Sequence, residues 1–248
     1  MDCSMDSTIV RMETSRLNCS KQRALKRLGD VLVSAAGLIV LMPLLAIIAI
    51  AVKLDSPGPV IFRHKRVGKD GASFDMHKFR SMVCGGDDTE YMHYLSELIE
   101  SDRNGAASSL PYRKMDGDPR VTRVGRVLRK YYLDELPQLW NVLRGDMSLV
   151  GPRPHVQFEV DHYRPHQRQR LSLRPGCTGL WQVEGKVDCS FDQLIDLDLE
   201  YIERWCLLLD LQILSKTAAL MIPGGGSVWA RTAKYVPGPR IRSNGNGG

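Results

Sequence analysis

The chain has 248 residues and a mass of 27.9 kDa, enough for one or two domains with a buried core. With 43% apolar and 25% charged residues it is not a disordered chain, and a mean hydropathy of −0.21 is too polar for a protein with many membrane spans. A net charge of +6 favours anionic partners such as phosphates, nucleotides, acidic lipids or nucleic acid, and six cysteines without a C-x-x-C pair exclude a zinc ribbon or a disulfide framework and read as reduced thiols of a cytoplasmic compartment.

Residues 1–20 carry no sustained pattern and read as a loose leader. Val31–Val52 is a 22-residue stretch without a charge, in which Ser34 is the only clearly polar member. At 1.5 Å per residue it would extend about 33 Å, enough to cross the hydrocarbon of a bilayer. Its length and its position behind 30 residues do not suit a signal peptide. Lys21, Arg23, Lys26 and Arg27 precede it and Lys53, Arg63, Lys65 and Arg66 follow, so charge gives it no clear orientation. Pro43, near the middle, removes a backbone donor and predicts a bend. A bent helix that dips into one leaflet and an ordinary single-pass anchor with a tolerated proline both fit.

Asp55-Ser-Pro-Gly-Pro59 is turn chemistry that ends this helix. Val60–Val67 and Ser73–Met82 read as two strands around a turn at Lys69-Asp70-Gly71. A short helix is expected near Tyr91–Ile99. Arg120, Arg123, Arg126 and Arg129 recur at steps of three and would lie roughly along one side of a helix or tight turn, as a solvated face or as a phosphate clamp. Leu133, Leu136, Leu139, Trp140 and Leu143 form the apolar stripe of another short helix, and Phe191–Ile202 has mixed acidic and apolar helical spacing. Cys206–Ile222 is broken by Asp210, Gln212, Ser215 and Lys216, which suits an amphipathic helix on the domain or at the membrane surface better than a second span. The Gly- and Pro-rich tail 223–248 is a poor core former.

Asp134-Glu135 stands before a helical apolar pattern, with Pro137 just after it. That is an ordinary helix-start signal. A helix N-terminus also favours an ionised carboxylate, so the same geometry suits a nucleophile beside a metal ligand. Lys78 and Arg80 sit two apart and would share one face of a strand. Arg153 lies between Pro152 and Pro154, and Arg174 opens a turn-rich loop; a guanidinium fork matches phosphate oxygens. Asp210, between two leucines, calls for a basic partner. No phosphate-binding G-x-x-x-x-G-K-[ST] loop, H-E-x-x-H or G-x-S-x-G motif is present, and no nucleic-acid-binding motif is recognisable.

Together these segments resemble the bacterial sugar transferase family, the small monotopic phosphoglycosyl transferases of the exopolysaccharide-initiating type. The resemblance runs from Lys26 to Ile222 through Lys26-Arg27-Leu-Gly-Asp30, Gly58-Pro-Val-Ile-Phe62, Lys78-Phe-Arg-Ser-Met82 and Asp118-Pro-Arg-Val-Thr122. It is densest over Leu133–Pro154 and is completed by Arg174-Pro-Gly-Cys-Thr-Gly-Leu-Trp-Gln182 and Leu209-Asp210-Leu211. It implies transfer of a sugar 1-phosphate from a UDP-sugar to polyprenol (undecaprenyl) phosphate, with release of UMP. By the same resemblance Asp134 would be the nucleophile of a covalent aspartyl-phosphosugar intermediate and Glu135 a Mg²⁺ ligand. Lys78, Arg129, Arg153 and Arg174 match basic positions of the active site, and Asp210 a supporting acid.

The resemblance also implies an α+β fold: a re-entrant membrane helix bent at Pro43, then a small, mostly helical catalytic domain on the cytoplasmic face of the bacterial inner membrane, with a short β-hairpin and surface amphipathic helices. The expected divisions are a leader (1–20), the membrane helix (21–55), the catalytic domain (56–222) and a mobile tail (223–248). Two positions depart from the family pattern: Met42 where serine usually precedes the proline, and Lys186 where arginine is usual. Expected partners are the UDP-sugar, polyprenol phosphate and membrane lipid, with no nucleic acid; the oligomeric state stays open, a homodimer included. The sugar is expected to be glucose or galactose, with N-acetylated sugars open. A catalytically silent, membrane-tethered assembly subunit of the same fold is the competing reading.

Overall fold

A computed structural model describes residues 3–85, 89–103, 118–184 and 190–221. The expectations for Lys186 and for the 223–248 tail lie outside these residues. The architecture is one long apolar helix, a β-hairpin, a second, parallel pair of short strands, and seven further helices among the described residues.

Helix α1 (Cys3–Asp55) runs without interruption through Pro43 and, towards its N-terminus, through the stretch read from sequence as a leader. Its Ser20–Asp55 portion is long and apolar enough to cross a membrane by length and composition. One side meets the rest of the protein at steps of three and four residues: Lys26, Arg27, Asp30, Ser34, Gly37, Leu45, Ile48 and Val52. The other side exposes Leu32, Val33, Ile39, Val40, Ile47, Ile50 and Leu54. Both sides are apolar over much of the segment, so hydropathy alone does not reveal which of them the protein covers.

Strands β1 (Ile61–Val67) and β2 (Ser73–Phe79) form the expected antiparallel hairpin, with Ile61 opposite Phe79 and Val67 opposite Ser73. The chain turns in a 3-10 segment where Asp70 and Gly71 take positive φ (56° and 81°), conformations that Asp and Gly tolerate. Helix α2 spans Thr89–Arg103. Helix α3 (Arg123–Lys130) is capped by Thr122, whose hydroxyl accepts from the Gly125 N–H at 3.0 Å. The four-arginine row is therefore split: Arg120 lies before the helix, paired with Asp118 at 2.8 Å, and only Arg123, Arg126 and Arg129 are helical.

Helix α4 (Gln138–Arg144) ends at Gly145, whose φ of 91° closes it. Beyond it, β3 (Ser148–Val150) pairs in parallel with β4 (Gly176–Thr178), a contact that turn-like composition in both segments conceals. Between these strands lie α5 (Gln157–Asp161) and a 3-10 segment at Pro165–Ser172; α6 (Leu180–Glu184), α7 (Phe191–Arg204) and α8 (Leu207–Met221) follow. Ser190 and Gln193 cap α7 reciprocally.

Three apolar clusters join these elements. One packs β1, α2, α5 and α7 around Leu98, Phe191, Leu194 and Ile195. A second joins β2, α4, β3, α6, α7 and α8 around Val142, Met147, Tyr201 and Ile213. The third sets Ile48 and Val52 of α1 against Phe79 of β2 and Leu128 of α3. The three cysteines whose side chains are described, Cys84, Cys177 and Cys206, are free thiols.

Polar contacts lock α1 in place. Arg27 donates to the Val142 and Leu143 carbonyls at 2.6 and 2.8 Å, satisfying acceptors at the C-terminal end of α4. Asp30 accepts from the Ser148 hydroxyl at 2.8 Å and the Leu149 N–H at 3.1 Å. Arg80, 3% exposed, donates to the carbonyls of Val52, Ser56 and Pro57 at the C-terminal end of α1. Lys26 and Arg27 thus anchor the helix rather than serving as free flanking charge.

Candidate active site

Lys78 near the end of β2 and Glu135 of the Leu133–Glu135 3-10 turn meet as an ion pair, Nζ to Oε1 3.0 Å, with side chains 15% and 18% exposed. Arg153 faces the same cleft, whose wall also includes Met76, Gln138, Pro154, Cys177 and Gln182. With a volume of about 240 Å³ even counting its open part, it lies below the roughly 300 Å³ at which small-molecule pockets begin. Burial pushes the Cys177 thiol pKa up, and the nearby Glu135 and Asp30 charges add to the effect. The thiol stays protonated and unreactive.

Asp134 is 3% exposed and lies immediately before Glu135. It does not begin an α-helix: α4 starts at Gln138 with Pro137 as its N-cap, and the carboxylate belongs to the preceding 3-10 turn. Neighbouring side chains on such a turn diverge by about 120°, so Asp134 points into the protein while Glu135 faces the cleft. Tyr132 opens the turn at φ 56°, ψ 19°, a left-handed conformation unusual for a bulky residue. The macrodipole argument from sequence therefore does not apply; burial and the 3-10 geometry position this acid instead.

The loop Pro152–His155 is held along its whole length. Its four successive carbonyls accept from Gly176 N (2.8 Å), Arg170 Nη2 (2.7 Å), Arg66 Nη1 (3.2 Å) and Val67 N (2.9 Å). The Arg153 N–H donates to Asp198 Oδ2 at 3.3 Å. Two prolines, which carry no N–H, complete the account, and the Arg153 guanidinium lies over the Trp181 ring, 5.6 Å from its centroid. Neither Asp198, Arg170 nor Arg66 stands in a sequence motif that signals this role. Buried charges spaced along separate elements were the only available hint.

The hairpin brings His64 close to the same cations. Its pKa is lowered to about 3, first by burial and then by the charges of Arg66, Lys78 and Arg153. A neutral ring accounts for the 3.1 Å contact in which Arg66 donates to Nδ1.

Three predicted positions fall elsewhere. Arg129 is half-buried on α3, where its charge, after the Arg120 hydrogen bond, helps hold the Asp118 carboxyl below its usual range. Arg174 is exposed and donates through Nε to the Gly145 carbonyl at 2.8 Å, behind α4. Asp210 is 6% exposed and meets Lys26 of α1 at 2.6 Å, the Tyr201 hydroxyl at 2.7 Å and the Trp205 indole N–H at 3.3 Å. The Arg80 side chain leaves the cleft to cap α1, although Lys78, two residues away, enters it.

Among the described residues no three His, Cys, Asp or Glu side chains gather as a metal centre. Mg²⁺ ordinarily takes one or two carboxylates together with substrate phosphates and water. Glu135, the one carboxylate among the described residues lining the cleft, fits a Mg²⁺ completed by phosphate oxygens, with Lys78 paired to the same carboxylate here.

Residues 21–224 match the sequence model described as bacterial sugar transferase. The undecaprenyl-phosphate galactose phosphotransferase of Salmonella typhimurium is 43% identical over 205 residues, which cover 83% of this chain and 42% of that protein. The exopolysaccharide production protein ExoY of Sinorhizobium fredii is 42% identical over 202 residues, 82% of this chain and 87% of that protein. A Caulobacter vibrioides UDP-glucose:undecaprenyl-phosphate glucose-1-phosphate transferase is 42% identical over 205 residues, 79% of this chain and 69% of that protein. The chain thus spans under half the length of the Salmonella relative and most of the length of the ExoY protein.

Proposed function

The chain belongs to the bacterial sugar transferase family, and from that premise we propose that it is a phosphoglycosyl transferase that moves a sugar 1-phosphate from a UDP-sugar to undecaprenyl phosphate, as the first membrane step of exopolysaccharide assembly. The observation that carries this reading is the convergence of Lys78, Glu135 and Arg153 on one cleft beside the buried Asp134. The silent-subunit reading has no comparable support, because these charged groups retain an arrangement suited to a diphosphate. The relatives' names favour galactose or glucose as the sugar.

An Asp134 carboxylate oxygen attacks the sugar-bearing phosphorus. The bond from that phosphorus to the bridging oxygen breaks, and its electron pair leaves with UMP. An oxygen of undecaprenyl phosphate then attacks the aspartyl-phosphosugar phosphorus, releasing the carboxylate and leaving the sugar on a lipid diphosphate. Division into two displacements means that the soluble donor and the lipid acceptor need not be bound together. Lys78 and Arg153 orient the diphosphate and stabilise charge building on its oxygens. Glu135 would hold a Mg²⁺ together with substrate oxygens, and the ion would supply further charge neutralisation. The Asp134 carboxylate lies buried in the 3-10 turn next to the cleft-facing Glu135.

Docking of α1 also supports the monotopic arrangement. The protein contacts this helix from Lys26 to Val52, a span of about 39 Å at 1.5 Å per residue, against hydrocarbon about 30 Å thick. A straight crossing would carry α3, α4 and β3 into the bilayer, with exposed Arg123, Arg126 and Arg144. Charges there are expensive. A helix that lies along the membrane surface with its apolar outer side in one leaflet would leave the domain on the cytoplasmic face, where UDP-sugars are made, although α1 is continuous through Pro43 and shows no turn-back there.

Mass spectrometry of the intact protein during turnover, together with measurement of released UMP, tests the chemistry. The wild type should show an added phosphosugar, and Asp134→Asn should show neither adduct nor UMP. Glu135→Gln should need far more Mg²⁺ than the wild type. Full activity of Asp134→Asn would end the nucleophile assignment.

A further inference from the structure

Arg170 and Asp198 form an almost fully buried ion pair, the least exposed of the arginine and lysine pairs among the described residues, 2% and 0% for the side chains, Nη2 to Oδ2 2.6 Å. They come from different elements, the Pro165–Ser172 segment and α7, and they meet at the backbone of a third. Arg170 Nη2 donates to the Arg153 carbonyl at 2.7 Å, while Asp198 Oδ2 accepts from the Arg153 N–H at 3.3 Å and from Arg170 Nε at 2.7 Å. The two peptide groups on either side of the Arg153 Cα are therefore gripped by the two halves of one ion pair. A third contact, from Arg170 to the Tyr163 hydroxyl, extends to His155 Nδ1 at 2.7 Å and fixes the guanidinium plane.

Stability does not account for this arrangement. A buried ion pair is commonly no better for folding than two well-packed apolar side chains. This one is incompletely satisfied, since Asp198 Oδ1 is buried with no hydrogen-bond partner among the described residues. What apolar residues could not do is hold both an N–H and a carbonyl of the residue whose side chain enters the cleft.

We propose that the Arg170–Asp198 pair is the positioning device for Arg153, presenting its guanidinium to the donor diphosphate in one place. This rests on the reading of Arg153 as a phosphate-binding residue. Arg170 and Asp198 themselves do not touch substrate; they act through the loop. A misplacement of the order of 1 Å at a reacting centre lowers rate about 100-fold, which sets the expected effect.

The test is a mutant cycle in the full-length protein in lipid nanodiscs, reading kcat/KM for the UDP-sugar and thermal stability. Arg153→Ala alone should lower kcat/KM about 100-fold or more. Replacing the pair together, Arg170→Met with Asp198→Leu, should leave the melting temperature within a few degrees yet lower kcat/KM about 100-fold. In the Arg153→Ala background the same replacement should lower it no more than about threefold, because no guanidinium remains to be placed. Arg170→Lys, which keeps the charge but loses the fork, supplies the same comparison if the double replacement fails to fold. Losses that multiply in the Arg153→Ala background, or full activity of a folded pair replacement, would overturn the positioning role. Full activity of Arg153→Ala would instead overturn the phosphate-binding reading, and the proposal with it.

Discussion

Asp210 separates a chemical role from a mechanical one. Its carboxylate, 9% exposed, accepts from the Lys26 ammonium, the Tyr201 hydroxyl and the Trp205 indole, and none of these lines the cleft. Asp210→Ala would leave the Lys26 ammonium, 17% exposed, facing only the Val150 carbonyl at 3.0 Å. Breaking a buried pair by removing one member costs about 3–5 kcal/mol, and the partial exposure of Lys26 places this case near 3. In a protein of this size each kcal/mol shifts the melting temperature by about 2–4 °C, so a drop of about 6–12 °C is expected. Tryptophan fluorescence follows the transition directly, because Trp205 bonds to the altered group. Lys26→Met with Asp210→Leu should recover most of the loss, and folded Asp210→Ala at low temperature should still form the phosphosugar adduct. An unchanged melting temperature with turnover reduced by orders of magnitude would refute the mechanical role and return Asp210 to the chemistry.

Arg80→Met removes the donor to three carbonyls and should destabilise by about 3 kcal/mol, while KM for the UDP-sugar at permissive temperature stays within about twofold; a large rise in KM without a stability change would show that Arg80 serves the substrate. His64 has a folded pKa near 3 against 6.5 when unfolded, so the unfolded state binds more protons between these values and stability falls as pH drops through that window. The loss is about 2 kcal/mol at pH 5, and His155, lowered in the same direction by burial, adds to it. Urea titrations should show a shallower pH slope for His64→Gln, and an unchanged slope would contradict the shift. For topology, single cysteines near residues 15 and 240, placed in a cysteine-free background, should resist an impermeant thiol reagent in intact cells and react after permeabilisation. Labelling of residue 15 alone in intact cells would establish a spanning helix.

The hairpin was legible because two short β-rich runs flank a Lys-Asp-Gly turn, and α7 because Phe191–Ile202 mixes acidic and apolar residues at helical spacing. The parallel pairing of β3 and β4 was not: Ser148–Val150 and Gly176–Thr178 are three residues each, too short to show a period, and their pairing joins distant segments. Within the site, Lys78, Glu135 and Arg153 were identified in advance and share a cleft. The reading of Asp134 as a helix start holds for a helical run whose first turn is 3-10, with α4 proper beginning at Gln138; similar residues open both kinds of turn, and tertiary packing decides between them. Arg174 and Asp210 were marked by the same logic as Arg153, an isolated charge in an apolar or turn-rich setting, yet the fold uses Arg174 on a helix end and Asp210 on a neighbouring cation. A charge that needs a partner is visible in sequence; the identity of the partner is not.

Most single-pass anchors are interchangeable, since lipid asks only for length and apolarity. This helix is not replaceable in that way. Lys26, Arg27, Asp30 and Gly37 fit particular carbonyls, a strand edge and the Leu139 side chain, while Val52, Ser56 and Pro57 offer carbonyls to Arg80. A borrowed or polyleucine segment of equal length and apolarity would therefore still cost the protein part of its interior. Inserting one residue between the two docking regions would turn one of them about 100° away from its partners, a fault that no increase in hydrophobicity could mend.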